Sequence, residues 1–97
     1  MVPPRITPAE LASGKRNILG SVLRSLREER GLTQSSVVGR LQRSGWDVSR
    51  HVYGYIEDGS RALTDLELFS VLAGLGASPK DLEISFRGFL KKRRSSD

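Results

Sequence analysis

The side chains able to do chemistry in this 97-residue chain are few in kind. The single histidine is His51, with Arg50 before it and Tyr55 one helical turn further on. Arginine offers a fork of N–H donors, imidazole donates or accepts, and a phenol does both. The chain has no cysteine, which removes disulfides, thiolate metal sites and thiol nucleophiles together. One histidine does not make a metal site by itself. Glu28/Glu29, Asp65/Glu67 and Asp81/Glu83 read as helix faces and caps. Glu57 is not read as a catalytic acid, since no histidine cluster or nucleophile is arranged beside it in sequence. There is no glycine-rich phosphate loop, since Gly74-Leu75-Gly76 reads as a helix end. The expectation is a binding protein, with no enzymatic activity, no cofactor and no metal.

Such a group must be carried by a fold, and size and charge bound what that fold is. The length fits one domain with a modest core. A net charge of +5 attracts polyanions, with nucleic acid the leading candidate. No apolar run approaches the roughly 20 residues a membrane span needs, and Pro3, Pro4 and Arg5 do not open a signal peptide. A cytoplasmic protein is expected.

The periodicity predicts an all-α chain of five helices. Residues 1–16 form an arm interrupted by Pro3, Pro4, Pro8 and Gly14, with room for one helical turn at Thr7 capped in the manner of a capping box by Glu10. Ile18, Val22 and Leu26, widened by Leu19 and Leu23, give a first helix from about Asn17 to Arg30, stopped by Gly31. Thr33 caps a second helix with Val37, Val38 and Leu41 on its apolar side. Ser44-Gly45-Trp46-Asp47 breaks the pattern, with Trp46 anchoring the loop on the core. Ser49 then caps a third helix of about nine residues that ends before Gly59. Gly54 inside it costs about 1 kcal/mol relative to alanine, and either permits a close backbone approach or is merely tolerated. Thr64 caps a fourth, strongly apolar and therefore central helix, ended by Gly76. Ser78-Pro79 opens a fifth, in which Leu82, Phe86, Phe89 and Leu90 lead to Lys91-Lys92-Arg93-Arg94. The domain proper is thus 17–90, between the arm and a basic tail at 91–97.

Leu26-Arg27-Glu28-Glu29-Arg30-Gly31-Leu32-Thr33-Gln34, then Val48-Ser49-Arg50, then Ile56-Glu57-Asp58-Gly59, closely resembles the Cro/C1-type (XRE-like) helix-turn-helix family. The resemblance covers roughly residues 18–83, including the Thr64-Asp65-Leu66-Glu67-Leu68 helix that follows. It is to a variant with an extended Gly-Trp-Asp turn, because Gln42-Arg43-Ser44-Gly45-Trp46-Asp47 lengthens the connection between Leu41 and Val48. It implies a five-helix, lambda-repressor-like DNA-binding domain whose third helix enters the major groove. The implied function is sequence-specific double-stranded DNA binding by a transcriptional regulator, with repressor as the first expectation. Arg50, His51 and Tyr55 then become base-contacting candidates: arginine fits guanine O6 and N7, and His51 can donate to the same acceptors. Gln34, Ser49, Arg43, Ser60 and Arg61 are candidates for phosphate contact, Gln34 because a helix start favours phosphate. Arg27 and Glu57 occupy positions that in the family make a salt bridge between the first helix and the end of the third. A homodimer on a palindromic site is also implied.

Each residue also has an ordinary reading. Arg50 and Arg43 can be solvated surface arginines, and His51 can cap or touch a phosphate. The basic tail either touches DNA phosphates or keeps the protein soluble. Phe86, Phe89 and Leu90 either complete the core or form a dimer contact. At the level of the whole protein, one alternative is an antitoxin-type DNA-binding protein that also holds a protein partner. The other is a general nucleic-acid binder, although the stacked exposed aromatics that single strands require are missing.

Overall fold

The computed structural model describes Gly14 and residues 16–95, with side chains through Lys91. The arm before Gly14, with the turn expected at Thr7, lies outside the described residues. Five helices follow in order: α1 Gly20–Glu29, α2 Gln34–Arg43, α3 Arg50–Glu57, α4 Asp65–Leu75 and α5 Pro79–Ser95. No strand occurs among the described residues.

Local chemistry explains most of the helix starts. Thr33, Ser49 and Thr64 each have extended backbone, and each side-chain oxygen accepts the N–H three residues on, at 3.0–3.1 Å. Glu67 returns the bond to the Thr64 N–H at 3.1 Å, completing a capping box. Ser78 and Asp81 make the same reciprocal pair at the head of α5. α1 begins three residues later than the apolar repeat suggests. Its Gly20 N–H donates to Asn17 Oδ1 at 2.7 Å, so Asn17 serves as a cap outside the helix rather than as its first residue.

The core is built from Val22, Leu23 and Leu26 of α1, Val37, Val38 and Leu41 of α2, Val48, Tyr53 and Ile56, and Val71, Leu72 and Leu75 of α4. α2 packs mainly on α4, and α1 on α5. Phe86 and Phe89 of α5 lie half-buried against this core, with their rings stacked at 5.9 Å between centroids. α4 is central only on one side. Leu66 (75% exposed) and Phe69 (53%) face away, because α1, α2 and α5 cover the opposite face that carries Val71, Leu72 and Leu75. α5 continues through Ser95, so the basic run 91–94 is helical.

Candidate nucleic-acid interface

The connection into α3 absorbs its extra length in two ways. α2 carries on through Arg43, and the remaining residues fold back on its end: the Trp46 N–H donates to the Leu41 carbonyl at 3.0 Å and the Gly45 N–H to Gln42 at 3.1 Å. Gly45 has φ 107°, a conformation that a side chain would strain. Trp46 lies half-buried against the core, and Val48 is buried just before the cap. The Gln42 side chain donates to the Val48 carbonyl at 3.0 Å, closing the turn from outside.

The inner side of α3 is pinned by a buried ion pair. Arg27 of α1 meets Glu57 in a two-pronged contact, Nε to Oε2 at 2.7 Å and Nη2 to Oε1 at 3.0 Å, and also donates to the Leu32 carbonyl at 2.8 Å. The two side chains are only 11% and 3% exposed. Gln34, first residue of α2, donates its Nε2 to Glu57 Oε1 at 3.0 Å. One carboxylate therefore ties α1, α2 and α3 together. Burial pushes the Glu57 carboxyl up, but the bonds from Arg27 and Gln34 outweigh it and hold the group below the ordinary carboxylate range. The Arg27 guanidinium is raised by its bond to Glu57. Tyr53 is buried beside the same carboxylate without a well-formed hydrogen bond. Burial first, then the Glu57 charge, drives its phenol far above its usual value.

A second junction fixes the far end of α3. The Asn17 side chain donates to the Ile56 carbonyl at 3.1 Å and to the Arg61 carbonyl at 2.8 Å, while capping α1 with its oxygen. The Arg16 and Asn17 backbone N–H groups both donate to the Gly59 carbonyl, at 2.7 and 3.3 Å. Gly20 permits this closeness: a Cβ there would lie 2.4 Å from the Ile56 oxygen and 2.5 Å from that of Glu57. The positive start of α1 thus abuts the carbonyl end of α3, a favourable head-to-tail arrangement of helix dipoles. Sequence reading missed Asn17 and Gly20 as positioning residues. The cap spacing from Asn17 to Gly20 was the one available signal.

What remains for contact is the outer side. At about 100° per residue, Arg50, Gly54, Asp58, His51 and Tyr55 share an arc of about 140°. Arg50, His51 and Tyr55 are all exposed, and their side chains make no hydrogen bond or ion pair with a described residue. Gly54 lies within that arc, with nothing inside 4 Å of where a Cβ would stand. It serves no close packing within the domain and leaves a bare stretch of backbone amid the exposed side chains.

The other candidates divide by how far their polar groups are engaged. Arg43 is exposed at the end of α2. Ser49 accepts the cap bond and keeps its hydroxyl proton. Gln34 is half-buried and turned to Glu57. Ser60 donates to Asp58 Oδ1 at 2.6 Å, and Arg61 holds Glu67 through both terminal nitrogens, at 3.1 and 2.9 Å. That pairing raises the Arg61 guanidinium and lowers the Glu67 carboxyl. Among the described residues, no group of three His, Cys, Asp or Glu is placed to hold a metal, and no helix is long and apolar enough to cross a membrane.

Five helices, the second and third joined by a turn and the third showing a bare polar face, define a helix-turn-helix domain. The chain belongs to the helix-turn-helix domain family, whose model matches residues 18–83, and within it to the Cro/C1 type. Among solved structures it is similar to the restriction-modification controller protein C.Esp1396I, seen as a tetramer in complex with its natural 35 base-pair operator. That similarity has 26% identity and a TM-score of 0.63, over 74% of this chain and 90% of that one. A tyrosine-to-phenylalanine mutant of the same controller gives 27% identity and a TM-score of 0.64, over 75% and 87% of the two chains. A search of curated protein sequences finds no match.

Proposed function

We propose that this chain is a sequence-specific DNA-binding transcriptional regulator, a repressor, that lays the outer side of α3 in the major groove. The observation that carries the reading is the contrast within α3: Tyr53, Ile56 and Glu57 are buried, whereas Arg50, His51 and Tyr55 are exposed and unengaged among the described residues. Arg50 follows the cap, at the helix end that enters a groove first, and its fork matches a guanine edge. His51 can donate to the same acceptors, and Tyr55 meets a thymine methyl or a phosphate. Gln34 spends one amide N–H on Glu57 and keeps the second for a phosphate oxygen at the start of α2. Ser49 and Arg43 add phosphate contacts on either side of the turn. Ser60 and Arg61 flank α3 from the following loop, Arg61 with its charge offset by Glu67.

A second copy completes the reader on a palindromic site. Leu66, Phe69 and Ala73 make an exposed stripe on α4, and Ile84 is 60% exposed on α5, an apolar surface suited to a symmetric contact. The same surface supports the alternative, an antitoxin-type regulator that holds a different protein. We take 17–90 as the reading domain, with the arm and the basic tail as accessories, acting on DNA in the cytoplasm without catalysis. The test is selection of bound fragments from the source genome. Recovery of a recurring sequence with two-fold symmetry is the expected result, and recovery proportional to fragment length alone would contradict specific reading.

A further inference from the structure

We propose that Arg16 is a DNA-backbone contact, held beside the reading helix by the Asn17 latch. The proposal rests on the reading of α3 as the DNA-facing helix and adds a contact that the sequence did not suggest. The backbone at Arg16 is fixed to the loop after α3: its N–H donates to the Gly59 carbonyl at 2.7 Å, and the next residue bonds the carbonyls of Ile56 and Arg61 through its side chain. The Arg16 side chain is exposed and makes no ion pair with a described residue. It lines an open concavity together with Tyr55, Ser60, Arg61, Thr64 and Glu67. Tyr55 also belongs to the outer arc of α3, so the concavity adjoins the surface proposed to face DNA.

Charge identifies the occupant. Arg61 and Glu67 close on each other as a two-pronged pair, and the Ser60 hydroxyl is spent on Asp58. Among the described residues of the concavity, Arg16 is left as the cation that no carboxylate offsets, with the Tyr55 hydroxyl as a further donor. The chemistry is that of a phosphate. An open groove running on from α3 fits the sugar-phosphate backbone of the duplex that α3 reads, rather than an enclosed small anion. Because a backbone phosphate is the same at every step, Arg16 adds affinity and salt dependence but no base preference.

The experiment measures affinity of the full chain for its best selected duplex across a salt series, and for single-base variants of that duplex. Arg16→Gln should weaken binding about tenfold, lower the slope of log affinity against log salt by about one, and leave the ranking of base variants unchanged. Arg24→Gln, an exposed arginine of α1 paired with Glu28, should change none of these. In an Asn17→Ala background that remains folded by circular dichroism, the further loss from Arg16→Gln should shrink, because the latch is already open. Inorganic phosphate alone, at constant ionic strength, should not raise the melting temperature in an Arg16-dependent way. An unchanged slope in Arg16→Gln overturns the proposal, as does a reordered base ranking or an Arg16-dependent response to free phosphate. If the unmodified protein binds no duplex specifically, the reading of α3 fails instead.

Discussion

The two sides of α3 differ in how their polar groups are satisfied. Inside, Glu57 accepts from Arg27 and Gln34, is nearly excluded from water, and joins three helices. Outside, Arg50 and His51 have no partner among the described residues, although Arg50 sits one helical position from the cap. A helix whose orientation is fixed from within can leave its other side unsatisfied without losing its place. On the proposed reading, stability and recognition rest on different residues of one helix, and substitutions should separate them.

The largest effect should come from the inner side. Arg27→Ala strands the Glu57 carboxylate in the core, and removing one partner of a buried pair costs about 3–5 kcal/mol. Urea denaturation should show that loss, whereas Arg50→Ala should move stability by less than about 0.5 kcal/mol. A cost under about 1 kcal/mol for Arg27→Ala would mean that apolar packing alone holds α3.

Two glycines sharpen the comparison. Helix propensity alone favours alanine by up to about 1 kcal/mol at each. At Gly20 the added methyl meets the Ile56 and Glu57 carbonyl oxygens at 2.4 and 2.5 Å, so overpacking should reverse the sign and cost about 1–3 kcal/mol. At Gly54 nothing lies within 4 Å, so Gly54→Ala should stabilise the fold by up to about 1 kcal/mol while weakening DNA binding. Thermal melts beside anisotropy titrations check both halves. Parallel changes in stability and affinity at Gly54 would place that residue in the packing rather than on the reading face.

The smallest expected effect is a pH dependence. The Glu57 carboxyl is held below its ordinary 4.5, so its contribution is complete above that value and is lost as pH falls through the folded-state value. Denaturant stability should therefore decline as pH drops below about 4.5, and Glu57→Gln should flatten its share of that decline. An equally steep decline in Glu57→Gln would assign the acid sensitivity to other carboxylates.

What the sequence revealed follows the range of each interaction. The caps at Thr33, Ser49 and Thr64 were legible because each bond spans three residues. The stops at Gly31 and Gly59 were legible because a left-handed turn is a local demand, met here at φ 66° and 83°. The Asn17 latch was not, since its partners lie 39 and 44 residues away and asparagine at a helix start already has a local explanation. Gly20 reads as a mild propensity defect until α3 is brought against it. The apolar pattern of α4 showed that the helix is hydrophobic, but not that Leu66 and Phe69 face outward, because a helix apolar on all sides carries no direction in its sequence. At the candidate interface, the family pattern proposed Arg50, His51 and Tyr55, and the structure leaves all three exposed. The inward turn of Gln34 and the Arg61–Glu67 pair depend on side-chain geometry that spacing does not encode.

The central claim is that α3 reads base sequence through Arg50 while α2 only positions the domain. The most direct measurement is binding of Arg50→Ala and Gln34→Ala to a panel of single-base variants of the selected duplex at one fixed salt concentration. Arg50→Ala should cost roughly 1–3 kcal/mol on the best duplex and erase preference at one base position, while Gln34→Ala weakens every variant alike. An equal loss on every variant for Arg50→Ala would make that arginine a phosphate clamp and pass the reading role to His51 and Tyr55. Unchanged binding of Arg50→Ala throughout the panel would contradict the account, because α3 would then not be the helix that enters the groove.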